Sequence, residues 1–343
     1  MRTFVIAEAG VNHNGDEALA LQLVQTAAEC GADAVKFQTF DADKLVLRGA
    51  AKAEYQKRQT GAGDQHAMLK ALELSRDAHR RLFARCTELG IEFMSTPFDE
   101  EAADFLLQLG MGRIKVPSGE ITNMPFLEFL AAKDVPLIVS TGMASLSEIL
   151  DAVRTIAATR QGRGFRASMK EMVTVLHCTS NYPAAYSDVN LRAMATIARA
   201  TRLPVGYSDH TSGIAVSAAA VALGATIIEK HFTLDRAMAG PDHAASLEPR
   251  ELSAMVSQIR AVEASMGSET KEPTASELPV RALVRRSVTT VRDIAAGATL
   301  QLADLTLLRP GTGIAPRERD RVPGKRARRA IPAGSTLRWS DLE

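Results

Sequence analysis

The chain has 343 residues, 46% of them hydrophobic, and its 41 Lys and Arg offset 40 Asp and Glu to a net charge of +1. That balance excludes a broad basic field for nucleic acid, and no uninterrupted apolar stretch reaches the ~20 residues needed to cross a bilayer. The start lacks the long apolar region of a signal peptide, and three scattered cysteines, Cys30, Cys86 and Cys178, read as reduced thiols rather than a disulfide framework.

These features predict a cytoplasmic protein with neither nucleic acid nor membrane as partner. The densest basic run, residues 325–329, reads as a solvated loop. At ~150 residues per domain the length fits two domains, and it fits equally a barrel of ~250 residues with a small addition.

Short β-branched runs alternate with helical patterns over the first ~265 residues, the sign of parallel βα units. Strands are predicted at 4–7, 34–38, 92–95, 113–116, 137–140, 172–179, 205–208 and 226–231, with helices that include 17–30, 76–89, 100–109, 145–159 and 250–266. Eight such units predict a (β/α)8 TIM barrel over residues 1–267, with its active site at the C-terminal ends of the strands. Residues 41–69 are too long and polar for a routine βα loop and are expected at the mouth, as part of a lid. Residues 268–283 read as a linker. Beyond it, Ile-Ala-Ala-Gly-Ala-Thr-Leu at 294–300 returns as Ile-Pro-Ala-Gly-Ser-Thr-Leu at 331–337, and both copies run on to Asp-Leu. Two turns of the same chemistry predict a small, pseudo-symmetric, β-rich module over residues 284–343.

Polar groups cluster where the strands end. Glu8 follows the first strand; Lys36 and Gln38 share one face of the second. Thr96, Lys115 with Ser118 and Glu120, Ser140, Tyr182 and Ser208 follow in turn. A buried lysine is expensive unless it meets an anion. Lys36 and Lys115, ringed by hydroxyls, fit a cradle for phosphate and carboxylate; the plainer reading pairs them with Glu8 and Glu120 as structural ion pairs. His210 and His231 sit at equivalent depths on neighbouring strands, where two imidazoles can reach one divalent ion and leave positions for water and substrate. Mn, Mg and Zn all suit such a set. His243 is a third candidate past the strand, His13 has a structural place in a Gly-ended turn, and Cys178 reads as a small core residue.

In order, Ala-Glu-Ala-Gly-Val-Asn-His at 7–13, Val-Lys-Phe-Gln-Thr at 35–39, Ser-Thr-Pro-Phe at 95–98, Lys-Val-Pro-Ser-Gly-Glu at 115–120, Ser-Thr-Gly-Met at 140–143, Gly-Tyr-Ser-Asp-His-Thr at 206–211, Glu-Lys-His-Phe-Thr at 229–233 and Gly-Pro-Asp-His at 240–243 resemble the N-acetylneuraminate (sialic acid) synthase family. The last module resembles the antifreeze-like domain that ends these synthases, so the resemblance covers essentially the whole chain. It implies condensation of phosphoenolpyruvate with N-acetylmannosamine and water to give N-acetylneuraminate and phosphate. The alternative is a legionaminic acid synthase using 2,4-diacetamido-2,4,6-trideoxymannose; a non-catalytic carbohydrate-binding or polysaccharide-assembly protein is the rival of a different class.

By resemblance, His210 and His231 hold a divalent metal (Mn2+ or Mg2+), and Lys36, Thr96, Lys115, Ser118, Ser140 and Ser208 hold phosphoenolpyruvate. Gln38, Glu120, Tyr182 and Asp242 hold the sugar, and Glu8 lies close to the reacting centre, with Glu8 or Glu120 moving the proton. Arg309 reaches the sugar from the other subunit, which implies a domain-swapped homodimer. The sequence departs from the family pattern at Ser180, where many relatives carry Asn, and at Arg285 or Arg286, where some carry an aromatic residue.

Overall fold

The computed structural model describes residues 2–343, and the chain divides after Gly267 into two compact units. In the first, eight parallel strands form a barrel: β1 Phe4–Gly10, β2 Ala34–Thr39, β3 Glu92–Pro97, β4 Ile114–Val116, β5 Leu137–Ser140, β6 Val173–Cys178, β7 Val205–Asp209 and β8 Ile227–His231. Their hydrogen-bonded order is β3-β2-β1-β8-β7-β6-β5-β4, and β3 and β4 run side by side to close the ring.

The crossovers are helical because their sequences carry the start and stop signals. Asp16, Ser75 and Asp99 cap the helices Glu17–Glu29, Arg76–Leu89 and Glu100–Leu109 by accepting from first-turn backbone N–H groups. The second and third end on Gly90 and Gly110 at φ 69° and 112°, left-handed positions that suit glycine. Helix faces pack Leu23, Leu82, Leu106 and Leu127 onto the outward side of the strands, in one large apolar layer.

The barrel interior has a separate plug of Ile6, Ala34, Met94, Ile138, Leu176 and Ile227. Side chains two apart on a strand share a face. The next inward layer, toward the C-terminal ends, is therefore Glu8, Lys36, Thr96, Ser140, Cys178 and Glu229. Apolar plug below and polar layer above fix the place of the site.

The second unit holds a two-stranded antiparallel sheet of β9, Ser287–Thr290, and β10, Leu305–Leu308. The repeated segments pair with each other through Ile294 and Ile331. Gly297 and Gly334 both take φ 76°. Asp304 and Asp341 each accept a backbone N–H three residues back, from Gln301 and Arg338 at 2.8 and 2.9 Å. The expected linker is not uniformly irregular, since Glu277–Val284 is a helix. Its Pro279 sits in the first turn, where a missing N–H breaks no intrahelical bond.

No helix among the described residues is long and apolar enough to cross a membrane.

Candidate active site

The polar layer opens into a cavity of about 550 Å3 at the C-terminal ends of the strands. Lys36 and Lys115 point into its floor, 2% and 4% exposed. Lys36 Nζ lies 2.7 Å from Glu8 Oε2 and donates to Thr96 Oγ1 at 2.9 Å. Lys115 Nζ lies 3.3 Å from Glu229 Oε1, and the other Glu229 oxygen is 3.6 Å from Lys36 Nζ. Ser208 Oγ donates to Glu229 at 2.8 Å.

Glu229 is therefore the hub that joins both lysines. The expected Lys36–Glu8 pair forms, but the carboxylate facing Lys115 is Glu229, while Glu120 is engaged by Asn123 Nδ2 at 2.7 Å. Strand parity alone could have found it, because Glu229 and His231 are two apart on β8 and share the inward face.

Four ionisable groups in so little solvent disturb one another. Burial pushes the Glu8 carboxyl up to about 7, against the pull of Lys36. Burial also acts on Glu229, yet Lys115 and Lys36 hold it well below the usual carboxylate range. Lys115 is lowered, chiefly by burial. Burial acts the same way on Lys36, but Glu229 and Glu8 outweigh it and raise it. Ser140 Oγ, buried beside them, has no hydrogen-bond partner. A buried hydroxyl without a partner beside two ammonium groups is a position for an anionic oxygen.

Above the floor, the rings of His210 and His231 lie 5.3 Å apart. His210 Nδ1 is 2.8 Å from the Thr179 carbonyl, so that nitrogen carries a proton; burial pulls the ring down, but Cys178 and this carbonyl outweigh it and raise His210 above its usual range. His231 Nδ1 is buried with no hydrogen-bond partner, 3.8 Å from Asp242 Oδ2. Burial and the neighbouring His210 hold His231 well below its usual range, which favours the neutral ligand form. One imidazole oriented through its second nitrogen and one left unpartnered fit a divalent ion with oxygen ligands completing the shell. No group of three or more His, Cys, Asp or Glu placed to hold a metal occurs among the described residues. The Cys178 thiol is in this layer too, 3.7 Å from His210 Nδ1; it lines the cavity instead of packing in the core.

Tyr182 packs against His210 at a tilt, 4.1 Å between centroids, and Tyr55 packs likewise against Tyr182 at 5.1 Å. Tyr55 belongs to the 41–69 segment, whose short helices Ala42–Leu45, Glu54–Thr60 and Gln65–Lys70 bring Leu45, Val46, Tyr55, Gln65 and Leu69 to the cavity. Lys52 fixes this lid by donating to Thr60 Oγ1 and to the carbonyls of Gly61 and Ala62. On the opposite side Met143 holds φ 67°, an uncommon state for a non-glycine residue and one that often marks a working site. Neighbouring Gly142 has no room for a side chain: a Cβ would fall 2.1 Å from Ser180 Oγ and 2.8 Å from Ser118 Oγ.

Of the residues singled out in the sequence, Glu8, Lys36, Gln38, Thr96, Lys115, Ser118, Glu120, Ser140, Tyr182, Ser208, His210 and His231 all line this one cavity. Asp242 does not; it is buried behind His231, and burial lifts its carboxyl to about 6. Arg309 follows β10 in the second unit. His243 is taken up by Thr233 Oγ1 at 2.7 Å and Asn14 Oδ1 at 3.2 Å, and His13 Nδ1 accepts from Gly15 N. Sequence reasoning missed the pair just outside the site: Lys230 Nζ lies 3.1 Å from Asp209 Oδ2, with both side chains fully buried.

An eight-stranded βα barrel that gathers two lysines, hydroxyls and two histidines at one mouth defines a protein built to hold an anion beside a two-imidazole site. Residues 23–271 match the model of the NeuB family, and residues 285–343 match the SAF domain. The chain belongs to the NeuB family. It is 54% identical to the N,N'-diacetyllegionaminic acid synthase of Legionella pneumophila, over 100% of this chain and 95% of that protein. It is 45% identical to the protein of the same name from Campylobacter jejuni, over 94% and 95%. Among solved structures it resembles an N-acetylneuraminic acid synthetase from Leptospira borgpetersenii, with TM-score 0.70, 34% identity and coverage of 82% of this chain and 90% of that one.

Proposed function

We propose that the protein condenses phosphoenolpyruvate with an N-acylated mannose-type sugar and releases phosphate, with 2,4-diacetamido-2,4,6-trideoxymannose as the favoured acceptor and a legionaminic acid as the product. The observation that carries the reaction class is the floor, where Lys36, Lys115 and the unpartnered Ser140 Oγ converge beneath the histidine pair. The choice of acceptor is supported by the two relatives whose name is N,N'-diacetyllegionaminic acid synthase. N-acetylmannosamine is the second reading, favoured by the resemblance to the N-acetylneuraminic acid synthetase.

In this scheme Lys36 and Lys115 leave their carboxylates to bind the phosphate and carboxylate of phosphoenolpyruvate, with Thr96, Ser118, Ser140 and Ser208 as further donors. C3 of the enol attacks the open-chain aldehyde carbon; the C–C bond forms as the carbonyl π bond opens, and the former aldehyde oxygen takes up a proton to become a hydroxyl. Water adds at C2, and breakage of the C2–O bond expels phosphate. A carboxyl near neutrality beside the floor suits proton movement at pH 7, which gives Glu8 the task of taking the water's proton at Oε1 or Oε2. Glu120, which faces the mouth, is the alternative. Gln38 and Tyr182 orient the sugar, and Asp242 backs His231. A divalent ion (Mn2+ or Mg2+) held by His210 and His231 supplies Lewis-acid polarisation of the aldehyde oxygen when bound. Arg309 of a second copy completes the sugar site in a domain-swapped homodimer.

The test is phosphate release from phosphoenolpyruvate with each sugar under a panel of divalent ions, with products identified by mass spectrometry. Both the nine-carbon product and stoichiometric phosphate are expected with the diacetamido sugar. Release with neither sugar would sink the reaction class; efficient release with N-acetylmannosamine alone would hand the choice to the second reading.

A further inference from the structure

The two acceptors differ at the end remote from the aldehyde. N-acetylmannosamine carries a hydroxyl at C4 and a hydroxymethyl at C6; the diacetamido sugar carries an acetamido group and a methyl. C1 must meet phosphoenolpyruvate on the floor, so C4 to C6 are directed toward the mouth.

The mouth is not uniform. On the side formed by the ends of β2 and β3 and by the lid, the lining is Phe40, Leu45, Val46, Leu69 and Phe98. Phe40 and Phe98 meet edge to face at 5.9 Å between centroids, and the Phe98 N–H donates to the Thr39 carbonyl. That pair is therefore fixed by the barrel, whereas Leu45 and Val46 end the helix Ala42–Leu45. All five are half-buried and line the cavity. Gln65 lines the same side and presents an amide, the group that matches an acetamido carbonyl or N–H.

We infer that this apolar wall is the specificity determinant of the acceptor site: Phe40, Val46 and Phe98 receive the C6 methyl and the C4 acyl methyl. The inference rests on the reaction proposed above and adds to it the residues that choose the sugar. A methyl placed there leaves water for a hydrocarbon surface. A hydroxymethyl placed there gives up water without a partner, and an unpaired hydroxyl is penalised more than a missing methyl. An apolar pocket discriminates against an added hydroxyl by about 100-fold.

The experiment measures kcat/KM for both sugars, at saturating phosphoenolpyruvate, in the full chain and in Val46→Thr and Phe40→Ser. Val46→Thr keeps the shape and adds a hydroxyl, so it tests the wall even if Phe40→Ser destabilises the mouth; thermal unfolding reports which variants fold. The ratio of kcat/KM for the diacetamido sugar over N-acetylmannosamine is expected to fall at least fivefold in Val46→Thr and at least tenfold in Phe40→Ser, chiefly through the sugar KM. A ratio within twofold of wild type, whether both sugars lose equally or neither does, overturns the wall as the determinant while leaving the reaction intact. A wild-type protein that ignores the diacetamido sugar overturns the functional reading and the wall with it.

Discussion

Replacement of Lys230 by Met isolates the ion pair that lies just behind the site. Lys230 is fully buried, 3.1 Å from Asp209 Oδ2, and also donates to the Thr211 carbonyl. At that distance and an effective dielectric near 20, the attraction is about 5 kcal/mol. Removing the cation leaves Asp209 charged in the barrel wall, although Thr211 N, Thr211 Oγ1 and Ser217 Oγ still donate to it at 2.7–2.8 Å. Those three donors soften the loss, so Lys230→Met is expected to destabilise the barrel by about 3–5 kcal/mol.

A barrel of this size loses roughly 2–4 °C of melting temperature per kcal/mol. The assay is urea and thermal unfolding of Lys230→Met, Asp209→Asn and the double variant. With neither charge left, the double variant should recover at least half of the loss, as a double-mutant cycle reads directly. His210 follows Asp209 and His231 follows Lys230, so divalent-ion affinity should fall in the single variant and return in the double. A loss under about 1 kcal/mol for Lys230→Met, or a double variant no more stable than the single, would refute the reasoning.

Three further expectations follow from the site. His231→Ala should abolish tight Mn2+ binding in calorimetry while circular dichroism stays native; retained binding would remove His231 from the ligand set. Glu229→Gln removes the anion that occupies both lysines, so inorganic phosphate should bind at least threefold more tightly even as turnover falls. Weaker phosphate binding would mean Glu229 does not compete for them. His13 is held at about 4 in the fold by burial, against 6.5 for an open imidazole. Its contribution is complete above pH 6.5 and is lost as pH falls from there to 4, about 3 kcal/mol in all. His13→Asn should flatten the pH dependence of urea stability across that window; an unchanged slope would contradict it.

Much of the barrel was legible in the sequence because its strands are short β-branched runs whose neighbours carry clear caps. Helices 76–89 and 100–109 end where Gly90 and Gly110 say they must. The site was legible for the same reason: strand parity carries Ile6 to Glu8, Ala34 to Lys36 and Ile138 to Ser140. What stayed hidden was partnership. Sequence could place Lys115 inward but not show that Glu229, rather than Glu120, would face it. The 41–69 lid was legible from its length and polarity, but not which of its residues enter the cavity, since Val46 and Tyr55 reach it from short helices that have no period to read. The helix Glu277–Val284 was masked by the polar composition before it.

The internal pairing of the small C-terminal unit bears on how the chain is made. Ile294 bridges Ile331 and Thr289 bridges Thr336, so the first half completes part of its hydrogen bonding only with the second. Contacts between distant stretches of chain form late and slowly. The bridges between the halves cannot form on the ribosome until Thr336 has been synthesised and has cleared the exit tunnel. Until then Val288, Leu300 and Leu305, all buried in the finished unit, stay open to solvent. The barrel waits longer still, because β1, the first strand made, pairs with β8, the last of its ring.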